Sequence, residues 1–305
     1  MKNIFLFTLG FLFVCSAGAQ QYALQLNLQK GQTYYQQTKG TMQIQQTING
    51  QQMNITTIIA GKAAYTVVGL NEDVYQLELR FLSLEIDLRS GTFILKASSE
   101  SRDSGNKLSL LYKKLTKEVF TVYMHKNGAV KEITGTDSVF ANLLKDVDAT
   151  EEQKGQLLNQ MNQSFGAAAL KSNIEMSTHI FPDKKVNVHD TWTKSISLNA
   201  IVPGTINASF RLNAVTPTEY ILSGQAQLVA EDNDTYVNMN GMDTKYLLNG
   251  TMLSQIKADA KTGWIKEFKQ EQTLGGTIQI KDNPQVPGGL TIPMEIKTTY
   301  TTTNK

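Results

Sequence analysis

Apolar and polar residues alternate along most of this chain. Between Gln20 and Met53, Met42, Ile44 and Ile48 fall on one phase and Gln43, Gln45 and Thr47 on the other. This period of two predicts a strand with one buried face. Asn49-Gly50 predicts a tight turn, after which Met53, Ile55 and Ile59 carry the apolar phase back. A strand over 63–68, a turn at Asn71-Glu72-Asp73 and a long strand over 74–88 follow. In the long strand Tyr75, Leu77, Leu79 and Phe81 hold odd positions, then Leu82, Leu84, Ile86 and Leu88 hold even ones. A β-bulge or bend at Phe81-Leu82 is expected, presenting apolar residues on both faces of a strongly curved sheet.

The period then changes. Leu108, Leu111 and Leu115 predict a short helix. Further on, Thr136-Asp137-Ser138 offers a cap for a stripe of Phe140, Leu143, Leu144 and Val147. Thr150-Glu151-Glu152-Gln153 reads as a capping box before Leu158, Met161 and Phe165, and a third helical stretch runs over 167–176. Pro182 blocks its continuation. Strands return over 191–198, 204–214, 219–229 and 242–258, the last expected to break at Asn249-Gly250. The closing stretch alternates Ile292, Met294 and Ile296, where Pro293 argues for a sheet edge.

One hairpin pattern is spelled twice, as Lys126-Asn127-Gly128-Ala129-Val130-Lys131-Glu132-Ile133 and as Lys261-Thr262-Gly263-Trp264-Ile265-Lys266-Glu267-Phe268. Residues 65–77 pair in the same way with 210–222, and Gly31-Gln32-Thr33-Tyr34 with His189-Asp190-Thr191-Trp192. The order is kept while the spacing shortens, as loop trimming in a duplicated unit would cause. The expected fold is mainly β: two related curved antiparallel sheets with a two- or three-helix insert. The expected divisions are a signal peptide over 1–19, a first repeat over 20–135, the insert over 136–181 and a second repeat over 182–305, the repeats packing as one unit.

Composition narrows the function. One lysine, an apolar run from Ile4 to Cys15 and Ala17-Gly18-Ala19 form a secretory leader, too short for a permanent membrane anchor. Phe13-Val14 precede the cysteine, where lipoprotein leaders carry a small residue, so cleavage after Ala19 is expected, into periplasm or medium. Cys15 is the single cysteine among 305 residues, so the mature chain has no disulfide or thiol chemistry. A net charge of +2 points neither to nucleic acid nor to an anionic membrane surface. No integral membrane segment is expected.

Three short motifs, Ser104-Gly105-Asn106-Lys107, Tyr236-Val237-Asn238 and Lys261-Thr262-Gly263, stand in the order of a penicillin-binding serine acyltransferase. That chemistry needs its serine at a helix start in a buried cleft, whereas Ser104 lies in a polar stretch and Lys261-Thr262-Gly263 belongs to a repeated hairpin. Ser254 with Lys257 is a weaker pair. His179, Asp183, His189 and Asp190 are interrupted by Pro182 and fit no metal-ligand spacing. The stretch Asp146-Val147-Asp148 lacks the sixth-position glycine and twelfth-position acid of a calcium loop, and Glu231-Asp232-Asn233-Asp234 reads as a turn. Trp192 and Trp264, at the places of Tyr34 and Ala129, read as core aromatics. No catalytic residue, cofactor or metal is expected.

The leader, Lys30-Gly31-Gln32-Thr33-Tyr34, the turn at Ile48-Asn49-Gly50, the Lys-Asn-Gly hairpin, and Ile180-Phe181-Pro182-Asp183 leading to Asp190-Thr191-Trp192 carry a resemblance. The chain resembles a family of secreted proteins of Gram-negative bacteria known as a domain of unknown function. At the level of fold alone it resembles the periplasmic lipoprotein carriers of the LolA and LolB type, whose half-barrel holds acyl chains under helices. The leading expectation is a non-enzymatic binding protein for a lipid or another apolar ligand, contacted by Leu79, Phe81, Leu84, Phe140, Leu144, Met161 and Phe165. The alternative is a structural or protein-interaction module of the envelope. The first expected outcome concerns export: intact-mass measurement on protein from the native host should give an unlipidated chain starting at Gln20, and a diacylglycerol on Cys15 would refute it.

Overall fold

The computed structural model describes residues 20–145, 150–198, 204–229, 236–239 and 241–305. In chain order the elements are β1 (Thr33–Ile48), β2 (Gln51–Asn71), β3 (Val74–Ser90), β4 (Phe93–Ser98), α1 (Lys107–Leu115), β5 (Phe120–His125), β6 (Val130–Thr134), α2 (Thr136–Lys145), α3 (Glu151–Phe165), α4 (Ala167–Thr178), β7 (Thr191–Leu198), β8 (Gly204–Val215), β9 (Glu219–Val229), β10 (Val237–Met239), β11 (Met242–Asp259), β12 (Ile265–Ile280) and β13 (Leu290–Thr303). The strands form one 13-stranded antiparallel sheet in the order β6-β5-β3-β2-β1-β13-β12-β11-β9-β8-β7, with β4 on β3 and β10 on β11. The two expected sheets are therefore halves of one. They join because β13 lies between β1 and β12 and pairs with both.

The halves carry the same irregularities. Val68 is the unpaired residue of a bulge between β2 and β3, and Asn213 is its counterpart between β8 and β9. Lys131 and Lys266 are likewise the extra residues beside the two repeated hairpins. A bulge re-aims every side chain beyond it, so finding two at equivalent landmarks supports duplication more strongly than matching residue types. The phase flip in β3 is also a bulge, with Leu82 unpaired and 44 % exposed. Its effect differs from the expectation: the extra residue returns Leu84, Ile86 and Leu88 to the face of Tyr75, Leu77, Leu79 and Phe81. Apolar residues from the whole strand serve one face.

Two expectations at glycine and proline are corrected. Asn249-Gly250 does not break β11, which is continuous; a side chain at Gly250 would meet the Thr273 carbonyl at 1.9 Å, so glycine serves close approach to β12. Pro293 is not on an outer strand. It pairs with Thr277 of β12, and the β1 pairing ends one residue earlier at Met294, so its missing N–H faces a ladder that has stopped.

The helices match their signals. Thr150 and Gln153 form a reciprocal capping box, whereas Thr136 already lies inside α2, whose first carbonyl acceptor is Gly135. Helix α4 touches both edge strands, β6 and β7. An edge strand has unpaired peptide groups, and here α4 supplies partners: the Val130 N–H donates to Glu175 Oε1 at 2.8 Å, and Thr178 Oγ1 donates to the Gly128 carbonyl at 2.8 Å. Just past the helix, the Ile180 carbonyl accepts from the Trp192 indole at 2.8 Å.

The segment before β1 completes the core. Leu24, Leu26 and Leu28 are buried, and the consecutive N–H groups of Leu26 and Asn27 donate to Lys126 and Thr262 in the two repeated turns. Both turns need glycine twice over. Gly128 and Gly263 have φ of +86° and +70°, and a Cβ there would lie 1.7 Å from the Thr178 carbonyl oxygen and 2.2 Å from that of Gln25. Gly128→Ala and Gly263→Ala should each cost more than about 2 kcal/mol in urea unfolding. Gly50→Ala, equally left-handed but in open space, should cost about 1 kcal/mol; equal costs at all three positions would refute the packing argument.

Candidate functional site

The seven residues expected to contact a ligand all belong to the apolar core. Leu79, Leu84, Phe140, Leu144 and Met161 are buried and Phe81 and Phe165 half-buried, all within a single apolar cluster. Phe81 sits edge-on to Phe120 and to Phe165, with centroids 5.9 and 5.7 Å apart, and Tyr112 meets Phe165 at 6.1 Å. The bulge at Leu82 brings Leu84 onto the same face as Leu79 and Phe81. Phe140 is 0 % and Met161 2 % exposed, so these helical side chains fill the space against the sheet.

The apolar face is longer than its cover. Toward the Asn49-Gly50 turn, Ile296, Ile44 and Ile55 form one cross-strand row, Met42, Thr57, Leu88 and Leu95 the next, and Ile59 with Ile86 a third. Met42, Ile44, Ile55, Ile86, Leu88, Leu95 and Ile296 are half-buried, and Ile59, Met53 and Phe93 are 43, 39 and 59 % exposed. Below these rows Leu77, Phe120 and Val122 are 0 % exposed. Sequence periodicity located these apolar residues but assigned the ligand to the covered part.

The opposite face is polar. An open groove of about 670 Å³ runs across β7, β8, β9, β11, β12 and β13, where Arg211, Gln225, Gln255, Lys269 and Glu271 surround an exposed Leu253. Apolar molecules are bound by apolar linings, so this groove suits water and hydrated groups.

The candidate chemical residues are placed apart. Ser104 is exposed in the turn before α1. Tyr236-Val237-Asn238 lies by the start of β11 and Lys261-Thr262-Gly263 just past its end, an 18-residue strand away, or about 60 Å. Ser254 and Lys257 project from opposite faces of β11; Lys257 pairs with Glu267 at 2.8 Å. Among the described residues no His, Asp and Glu cluster could hold a metal. Asp148 and Glu231 to Asp234 lie outside the described residues, as do Asp146 and Val147. Trp264 is core, donating to the Tyr35 carbonyl at 2.9 Å beside Tyr34 and Tyr65.

Asp183 is a tie between the sheet edges. It accepts from the buried Lys194 ammonium of β7 at 2.8 Å and from Asn127 of the first turn at 2.9 Å, and these bonds, the lysine's first, hold its carboxyl below the usual range. No sequence spacing signalled this contact. Beside it, burial and then the Lys194 charge hold the His179 imidazole down at about 4, and its Nδ1 is buried without a partner. Burial raises the Glu175 carboxyl.

Residues 72–265 match the family described as Family of unknown function (DUF6263). The chain belongs to this family. No curated protein sequence matches it. Among solved structures, lipovitellin, described under lipid-protein interactions, is 10 % identical with a TM-score of 0.52 over 92 % of this chain. The chain spans 25 % of the lipovitellin chain, and the likeness is one of fold. An outer membrane channel from Pseudomonas putida F1 is 7 % identical over 91 % of this chain and 97 % of its own, with a TM-score of 0.26. No helix among the described residues is long and apolar enough to cross a membrane.

The depressed histidine predicts a pH response. The fold accommodates neutral His179, so its contribution is complete above pH 6.5 and is lost as pH falls toward 4. His179→Gln should flatten the stability curve between these values by about 1–2 kcal/mol after allowance for solvent. Glu175, whose carboxyl burial raises, acts in the opposite direction, so the comparison of variant with parent isolates the histidine. An unchanged slope would show that His179 does not titrate with unfolding.

Proposed function

We propose that this is an extracytoplasmic, non-enzymatic binding protein that holds an apolar molecule, a lipid chain above all, on the uncovered upper part of its apolar sheet face. The carrying observation is the row of Ile59 and Ile86 with its neighbours Met42, Ile44, Ile55 and Leu88, which continues the core and stays partly open. Partly exposed apolar rows of this extent mark a surface that meets something other than water. The fold likeness to lipovitellin, whose lipid contacts gave that structure its description, supports the ligand class. The apolar leader of residues 1–19 supports export.

A protein-interaction module of the envelope is the second reading. The exposed start of β4 favours it, where Phe93 and Ile94 are 59 and 60 % exposed on the two faces of a strand paired on one side with β3. The serine acyltransferase reading has no comparable support in the placement of its motifs.

Lipid extraction and mass spectrometry of protein from its own host should recover an apolar molecule, and a fluorescent fatty-acid probe should bind the emptied protein. Ile59→Asp with Ile86→Asp should weaken probe binding at least about tenfold, about 1.4 kcal/mol, while Leu253→Asp in the polar groove leaves it unchanged. An empty protein that also ignores the probe would leave the interaction module.

A further inference from the structure

A belt of polar side chains on β1, β12 and β13 interrupts the apolar face between the row of Ala63 and Phe81 and the row of Ile59 and Ile86. Gln36 and Gln270 are 7 and 5 % exposed, and Gln36 Nε2 and Gln270 Oε1 have no hydrogen-bond partner among the described residues. Further polar groups lie between the two. Gln270 pairs across the sheet with Tyr300, whose hydroxyl lies near those of Thr38 and Thr302. The Thr38 and Thr302 hydroxyls are 3.0 Å apart, and Gln36 lies two residues from Thr38 on the same face of β1. Tyr65, also buried, lies beside Tyr300. Above them, the Tyr300 ring packs over Gly40, whose partner in β2 is Ile59 of the open rows.

An orphaned amide is costly to bury, and an apolar side chain of the same size would pack there without that cost. Here one orphan is a donor and the other an acceptor, both at the boundary between closed and open apolar surface. Resting on the lipid reading above, we propose that this belt receives the uncharged, hydrogen-bonding head group of a single-chain lipid whose hydrocarbon tail lies along the open rows. The belt is amides and hydroxyls, so a carboxylate or phosphate would be desolvated there without a counter-charge. Burial raises both tyrosine hydroxyls, which keeps them neutral donors. A head carrying hydroxyl or amide groups, which donates and accepts without charge, matches the unmet donor and acceptor.

The test compares 1-monooleoylglycerol with oleate at pH 8, equal in chain and different in head charge, on the exported protein after delipidation. The neutral lipid should bind at least about tenfold more tightly. Gln36→Met and Gln270→Met, measured separately, should each cut that preference to below about threefold while leaving the unliganded melting temperature unchanged or higher. Equal binding of both lipids, insensitive to either substitution, would overturn the head-group site and leave the lipid reading standing. A lower melting temperature with unaltered lipid preference would mean that the glutamines hold a buried water only, which also overturns it. If neither lipid binds, the lipid reading itself fails, and the head-group site with it.

Discussion

A sheet this wide has two edges, and the rest of the architecture depends on how their peptide groups are satisfied. β6 and β7 stand at opposite ends of the strand order yet both meet α4 and the turn that follows it. Glu175 and Thr178 take up the backbone of Val130 and Gly128 on one side, and the Ile180 carbonyl takes the Trp192 indole on the other. Asp183 then joins Asn127 to Lys194 across the gap. Buried polar groups without partners are strongly unfavourable, so the helical insert is a structural requirement of the curled sheet, and its position between the repeats in sequence follows from its position between their edges in space.

Duplication explains why both glycine turns converge on the same leucine-rich segment. The turns at Gly128 and Gly263 come from equivalent hairpins, and Leu26 and Asn27 receive one each through adjacent N–H groups. Each half presents its turn from the same end of the sheet because the halves repeat in the same sense along the strand order. A single extended segment can therefore tie two units that are far apart in sequence.

Much of this was legible in the chain. Period-two patterning gave the strands, the Thr150 capping box gave the start of α3, and the repeated Gly hairpins gave the duplication. What periodicity does not carry is how strands pair. The alternation around Leu82 was readable as a bulge, but its consequence, one apolar face in place of two, depends on which residue is left unpaired opposite Lys62 and Ala63. Asn249-Gly250 has the composition of a turn, yet glycine answers equally to close approach, and the tight contact with Thr273 lies in another strand. Pro293 reported a local end of pairing correctly and was misread as the edge of the whole sheet. In the candidate site, the apolar residues were visible while their cover was not, because helix stripes show that a helix buries a face without showing how far it reaches.

The polar belt shows in the same sequence pattern. In β1 the buried phase reads Tyr34, Gln36, Thr38, Gly40, Met42, Ile44, and in β12 Gln270 shares the phase of Phe268. Polar residues on a buried phase break the rule that otherwise builds the sheet, and sequences that specify their folds well violate local rules mainly where function or strain requires it. The violation is plain along β12, where Phe268, Gln270 and Leu274 share the buried phase: apolar, then polar, then apolar again. A face meant only for packing has no reason to change character twice. One that must hold an amphiphile does, since each change of polarity along the face then corresponds to a change of polarity along the molecule lying on it.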